Sequence, residues 1–260
     1  MKRLSVSIIT FNEEKNIRRC LESVRSIADE IVVVDSFSTD QTEAICKEFD
    51  VKFSTHVFEG HIEQKNIALS LCSNPVVFAL DADESLSEKL LKSIKTEKEK
   101  GFPHRVYSMN RLTNYCGKWI RHCGWYPDRK LRLFHKTAGK WGGENPHDEL
   151  ILNEKTPAFH LNGDLLHYSY YTKDEHYKQV EYFTTIGAAT YHKKGKTASL
   201  LKMYGSPVVK FLRDYIIKLG FLDGKSGFQV CSISAGATFT KYKKLRTLNQ
   251  QDKPCKKPKK

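Results

Sequence analysis

Glycine-rich phosphate cradles are missing from this chain of 260 residues. No G-x-G-x-x-G follows an apolar run, which excludes a dinucleotide fingerprint. The nearest Walker-like string, Gly220 to Ser226, has three residues between its glycines where a P-loop needs four, and it reads as a turn. Nor is there a run of the roughly 20 apolar residues that spans a bilayer; the longest uncharged stretch, Ser226 to Thr240, is mixed with Ser, Gln and Thr. The seven cysteines (20, 46, 72, 116, 123, 231 and 255) are odd in number and form no C-x-x-C, so neither a disulfide framework nor a zinc ribbon is suggested. They read as reduced thiols of a cytosolic chain. Met1-Lys2-Arg3 leads into a short alternating stretch with none of a signal peptide's continuous apolar core. Acidic residues are also scarce, 30 against 43 Lys and Arg, a formal charge of +13. The excess is local. Residues 241–260 hold nine basic residues and one acid, and residues 199–240 hold five and two, which leaves the rest nearly neutral. With no recognition motif beside the basic tail, nucleic acid is not the expected partner.

What is present is an ordinary globular composition, 40% hydrophobic, 11% aromatic and 28% charged, long enough for one substantial α/β domain with appendages. Leu4–Ile9, Glu30–Asp35, Val51–Ser54 and Val76–Leu80 read as strands. Helical patterns lie between them: from Glu13 with Asn12 as cap, after Ser38-x-x-Gln41 as a capping box, and over Ile62–Leu71. Near-continuous apolar strands alternating with helices predict a mostly parallel sheet covered on both faces, whose ligands sit beyond the strands' carboxyl ends.

Those ends are polar: Thr10, Asn12 and Glu13 after the first strand, Asp35 after the second, Asp81, Asp83 and Glu84 after the fourth. Without a glycine cradle, a phosphorylated ligand needs a cation. Asp81-Ala82-Asp83 offers hard oxygen ligands suited to Mg²⁺ or Mn²⁺.

Three segments, Ser7 to Glu14, Ile31 to Asp40 and Ala79 to Glu84, resemble the family 2 inverting glycosyltransferases of GT-A fold. The second half, through Tyr126 to Phe134, Pro146-His147-Asp148-Glu149, His167 to Tyr170 and Gly220 to Gly224, resembles the bacterial lipopolysaccharide core β-glucosyltransferase subgroup. The resemblance implies transfer of a hexose, glucose first, from a UDP-sugar to the lipopolysaccharide inner core. It implies that Thr10, Phe11, Asn12, Glu13, Asp35, Lys65, Asp81, Ala82 and Asp83 line the nucleotide-sugar pocket. Asp83, with Asp81 and His167, would hold the metal, and Asp148 would be the base, with Glu149 and Glu144 as rivals. Another cell-surface acceptor, or a binding protein of the same fold without turnover, is the alternative. A nucleotidyltransferase should carry a glycine-rich loop that is not found here.

Trp125, Tyr126, Asp128, Arg129, Arg132 and His147 are the acceptor candidates, the arginines suiting phosphate or carboxylate groups. A capping box at Thr172 and Glu175 predicts a helix to about Tyr191, and Ser206-Pro207 predicts another. Val208, Phe211, Leu212, Tyr215, Ile216 and Leu219 form the apolar stripe of that second helix, with Lys210, Arg213 and Lys218 beside it. Such a basic amphipathic helix suits an anionic leaflet, here the cytoplasmic face of the inner membrane. The expected organisation is a nucleotide-sugar half (1–100), an acceptor and catalytic half (101–198), a membrane-associating helical region (199–246) and a disordered basic tail (247–260).

Overall fold

The computed structural model describes residues 2–144 and 147–252, apart from the His147 side chain. Asn145, Pro146 and the basic residues from Lys253 onward lie outside the described residues. Contacts divide the chain into two units, Met1–Thr113 with Pro127–Ser169, and Asn114–Tyr126 with Tyr170–Lys260. The division follows neither the expected break at 100 nor the one at 198.

The first unit opens with β1 (Leu4–Thr10), α1 (Ile17–Val24), β2 (Glu30–Asp35), α2 (Thr42–Cys46), β3 (Lys52–Thr55), α3 (His61–Leu71) and β4 (Val76–Asp81). It continues through β5 (Glu84–Leu86), α4 (Glu88–Glu99) and β6 (Val106–Tyr115). After β7 (Lys118–Ile120) of the second unit come β8 (Asp128–His135), β9 (Gly139–Glu144), β10 (His147–Leu152) and β11 (Phe159–Tyr170). The sheet order is β3-β2-β1-β4-β8-β6-β11-β5. β1, β2, β3 and β4 pair in parallel, as their alternation with helices requires, whereas β8 joins β4 and β6 antiparallel, and β11 joins β5 antiparallel. The sheet is therefore mixed: parallel where helices cross between strands, antiparallel where the chain returns directly. β9 and β10 form a separate hairpin.

The apolar runs of β1, β2 and β4 are buried because each strand is covered on both faces. Leu4, Val6, Ile8, Ile17, Leu21, Phe78 and Leu80 form one core, and Val32, Val34, Ala68, Val77, Phe134 and Trp141 form the other. Two expected helix caps are absent. Asn16 and Gln41 occupy the cap positions of α1 and α2, neither with a side-chain capping bond. Asn12, at φ 53°, instead accepts from the Thr39 backbone N–H at 2.8 Å and donates its own N–H to Ser38 Oγ at 2.7 Å. These side chains tie two loops together instead of starting helices.

The second unit contains α5 (Lys173–Lys193), α6 (Leu200–Leu212), a π turn over 213–217, a 3₁₀ turn over 220–223 and α7 (Gly224–Gln251). The Thr172/Glu175 capping box is present. Pro207 lies inside α6, which starts at the Ser199 cap and not at Pro207. α7 runs to Gln251, so residues 247–251, expected to be disordered, are helical. Asp223 explains the turn before α7: its carboxylate accepts from the His122 backbone N–H at 2.8 Å and lies 3.0 Å from His122 Nδ1.

Candidate functional site

Parallel register gathers the polar strand ends of the first unit. Thr10 is opposite Asp35, and Ile9 is opposite Asp81, so three adjacent strands end at one edge. Beyond it, the β1–α1 and β2–α2 loops are laced together. The Glu13 N–H donates to Thr42 Oγ1 at 2.8 Å, and the Glu14 N–H to Asp40 Oδ2 at 3.0 Å. Asp35 is 2% exposed, and Ser38 donates to both its oxygens, from the backbone at 2.7 Å and from Oγ at 2.5 Å. Thr10 is buried and Phe11 exposed.

Asp81 and Asp83 part company. Asp81 lies 2.9 Å from Lys65 Nζ and 2.7 Å from Arg132 Nη2. Burial works to raise its carboxyl, but Arg132 and then Lys65 overcome that and hold it well below the usual carboxylate range. Asp83 instead contacts His167 Nε2 at 3.1 Å, and the Nδ1 of that ring lies 3.3 Å from Thr113 Oγ1. Burial opposes ionisation of Asp83 too, yet the field of His167 leaves its carboxyl lowered. Glu13 moves the other way: burial, then the charge of Asp83, push its carboxyl up to about 7, with Asp40 and Asp81 adding to the repulsion. Between the two aspartates, Ala82 is buried, and its N–H donates to the Ile9 carbonyl at 3.2 Å.

Asp148, on β10, is brought to this edge by Lys65. The Lys65 ammonium, on α3 and 5% exposed, reaches Asp148 Oδ2 at 2.7 Å while holding Asp81. Glu149 is exposed and Glu144 lies at the end of β9, so Asp148 is the acid drawn into the charged cluster. Arg132 is 4% exposed and also binds Glu84 Oε1 at 3.0 Å; Glu84 in turn accepts from the Asp81 N–H at 3.0 Å. Asp128 pairs with Arg111 at 2.8 Å and with Lys130 at 3.1 Å. Arg129 is exposed. Asp81, Arg111, Arg129, Arg132, Trp141, Asp148 and Glu149 help to line one cavity of about 510 Å³, within the size range of small-ligand sites. A second cavity of about 580 Å³ lies at the opposite, amino-terminal end of the strands, among Asp29, Glu30 and Lys52, away from the edge where such sheets bind ligands.

Trp125 and Tyr126 belong to the second unit. Trp125 packs with Tyr115, Tyr170 and His176 in an aromatic cluster, and Arg121 lies 5.7 Å from the Tyr126 ring. The His147 side chain is outside the described residues. Among the described residues, no three His, Cys, Asp or Glu converge as metal ligands. Of the three expected metal ligands, Asp81 is committed to two cationic side chains, and Asp83 and His167 are brought together. Sequence reasoning missed Arg111, Trp141 and the buried pairing of Glu84. The signal was faint: one arginine in the strand segment that became β6, one tryptophan in a glycine-rich hairpin, and an acid at the start of the short β5.

The model of glycosyl transferase family 2 matches residues 5–151. An uncharacterised glycosyltransferase of Rickettsia typhi is 30% identical over 258 residues, 96% of this chain and 88% of its own length. The lipopolysaccharide core biosynthesis glycosyltransferase LpsC of Rhizobium meliloti is 31% identical over 238 residues, 86% of this chain and 85% of its own. Among solved structures, glucosyl-3-phosphoglycerate synthase of Mycobacterium tuberculosis, in complex with Mn²⁺, UDP and glucosyl-3-phosphoglycerate, is 21% identical over 44% of each chain, with a TM-score of 0.36.

Proposed function

We propose that this chain, which belongs to glycosyl transferase family 2, is a GT-A-type enzyme that transfers a hexose, glucose first, from a UDP-sugar to the lipopolysaccharide inner core with inversion to a β linkage. The observation that carries this reading is the convergence of Asp35, Asp81, Asp83 and Asp148 at one edge of the parallel strands, Asp81 and Asp148 joined through Lys65. Similarity to the core-biosynthesis enzyme supports the acceptor class.

Each residue has a chemical task. Asp35 can accept from the uracil N–H or from ribose hydroxyls, and the exposed Phe11 ring can cover the base. Asp148 takes the proton of the acceptor hydroxyl as that oxygen attacks the anomeric carbon opposite the departing diphosphate. Lys65 Nζ occupies Asp148 Oδ2 at 2.7 Å, so this role requires Lys65 to move aside as the hydroxyl arrives. Glu149 lines the same cavity and is the next carboxylate in line.

The donor set suits a divalent cation. Asp83 and His167 supply oxygen and nitrogen side by side, and the crowding of Glu13 with Asp83 is the repulsion that a cation relieves. Bound there, Mg²⁺ or Mn²⁺ would neutralise charge on the leaving diphosphate. We infer a peripheral position on an anionic bilayer, at the cytoplasmic face of the inner membrane, a reading that the exposed apolar residues and the cations of α6 support.

The test is turnover of UDP-glucose with Mg²⁺ or Mn²⁺ and a core oligosaccharide, read by product formation. Wild type should transfer, chelation should stop it, Asp83→Ala should lose at least about a hundredfold, and Asp148→Asn should lose transfer while keeping UDP affinity. Full transfer by Asp148→Asn would move the base role to Glu149. No turnover of any UDP-hexose would end the reading.

A further inference from the structure

Two residues that line the cavity beside Asp148, Arg132 and Trp141, carry hydrogen-bond donors that no described residue accepts. Arg132 spends its Nη2 on Asp81 and Glu84, but its Nε and Nη1 are buried without an acceptor among the described residues. The indole Nε1 of Trp141 is buried and unpartnered as well. The two side chains are 4% and 3% exposed, line the same cavity, and lie 5.6 Å apart from guanidinium carbon to ring centroid. Buried donors are nearly always satisfied, so three unsatisfied ones around one cavity point to a guest that brings the acceptors.

The chemistry of the donors restricts that guest. Three donor nitrogens, two of them on a guanidinium, repel a metal ion. A sugar hydroxyl suits them less well because it must also donate its own proton: Asp81 and Asp148 are paired with cations, which leaves the exposed Glu149 as its acceptor on this wall. A carboxylate or phosphate oxygen only accepts, and it gains further from the positive charge of the exposed Arg129 on the same wall, Arg111 and Lys130 being paired with Asp128. We propose that Arg132 and Trp141 seat an anionic oxygen group of the acceptor sugar beside Asp148, so that the enzyme selects a sugar acid or sugar phosphate over a neutral glycoside. This inference rests on the transferase reading and names the acceptor's class.

The probe is the Trp141 indole N–H resonance in the ¹⁵N-labelled full chain, identified by its loss in Trp141→Phe. With the protein saturated in UDP and Mg²⁺, glucuronate, glucose 6-phosphate and methyl β-glucoside are titrated separately. A shift with either anionic sugar and none with the neutral glycoside supports the seat; a response to only one of the two identifies carboxylate or phosphate as its guest. By isothermal titration calorimetry, Trp141→Phe should weaken anion binding at least about tenfold, as loss of one hydrogen bond to a charged group does, and Arg132→Lys should weaken it as well, read both by calorimetry and by the Trp141 resonance. The seat is overturned if no anion shifts Trp141, if the neutral glycoside shifts it equally, or if UDP alone fills the site. Failure to bind UDP at all would overturn the transferase reading together with the seat, whereas UDP binding without anion binding overturns the seat alone.

Discussion

Lys65 is the residue on which the charged cluster turns. Its ammonium is buried between two carboxylates, 2.9 Å from Asp81 and 2.7 Å from Asp148, and lies 4.9 Å from the centroid of the Trp141 ring. Asp81 has Arg132 as a second cation, but Lys65 is the cation paired with Asp148. Replacing it with methionine therefore leaves the largely buried Asp148 with only the more distant charge of Arg132, which costs up to about 3–5 kcal/mol. In the Lys65→Met background, Asp148→Asn removes the carboxylate charge and should recover a large part of the loss, a coupling measured by urea denaturation of the four proteins. Strictly additive effects would mean that the pair does not couple. The carboxylates were legible in the sequence from their place after apolar runs or within a resembled motif. The burial of Lys65 was not, because an isolated lysine on a helix reads as solvated until the β9–β10 hairpin supplies Asp148 opposite it.

At the scale of elements, strand positions follow from composition, while loop chemistry does not. β1, β2 and β4 were legible because buried parallel strands need continuous apolar runs. Asn12 and Ser38 were misread because their short polar side chains can cap a helix or bridge two loops, and only the loop opposite decides between the two. β11 makes the same point through Gly163. This strand sets His167 opposite Glu84 in register with β5, and Gly163, at φ 105°, lets it pass α4 so closely that a Cβ would lie 2.3 Å from the Leu90 nitrogen. Backbone cannot yield as a side-chain tip can. Gly163→Ala should destabilise the protein by about 2 kcal/mol or more, from backbone strain and the clash together. Gly195→Ala, also at positive φ (66°) but with nothing within 4 Å, should cost only about 1 kcal/mol. Thermal unfolding of the two variants separates the terms; equal losses would show that the contact with α4 carries no energy.

For the whole molecule, the question raised by the charge of +13 is where it acts. The described part of the basic segment is helical, and its second unit has an uncovered apolar strip. Leu201 is 84% exposed, Val209 66% and Ile217 75%, with Val208, Leu212, Ile216 and Leu222 exposed alongside. The expected stripe was only partly correct: Phe211 and Tyr215 pack inward on the Tyr115, Val230 and Cys231 cluster, and Val209 and Ile217 face outward in their place. No helix among the described residues is long and apolar enough to cross a membrane. An exposed apolar strip interleaved with Lys202, Lys210, Arg213 and Lys218 instead has the make-up of an interfacial surface, in which apolar area and cations act together. The full chain should therefore co-float with vesicles rich in phosphatidylglycerol, bind neutral phosphatidylcholine vesicles far less, and release as salt screens the cations. Replacing Leu201, Val209 and Ile217 with serine removes apolar area without touching charge or core, and should cut partitioning at least about tenfold, since each buried CH₂ contributes about 0.8 kcal/mol. Undiminished flotation of that triple variant would assign the binding to the cations alone, and no flotation of the wild type would remove the membrane from the account.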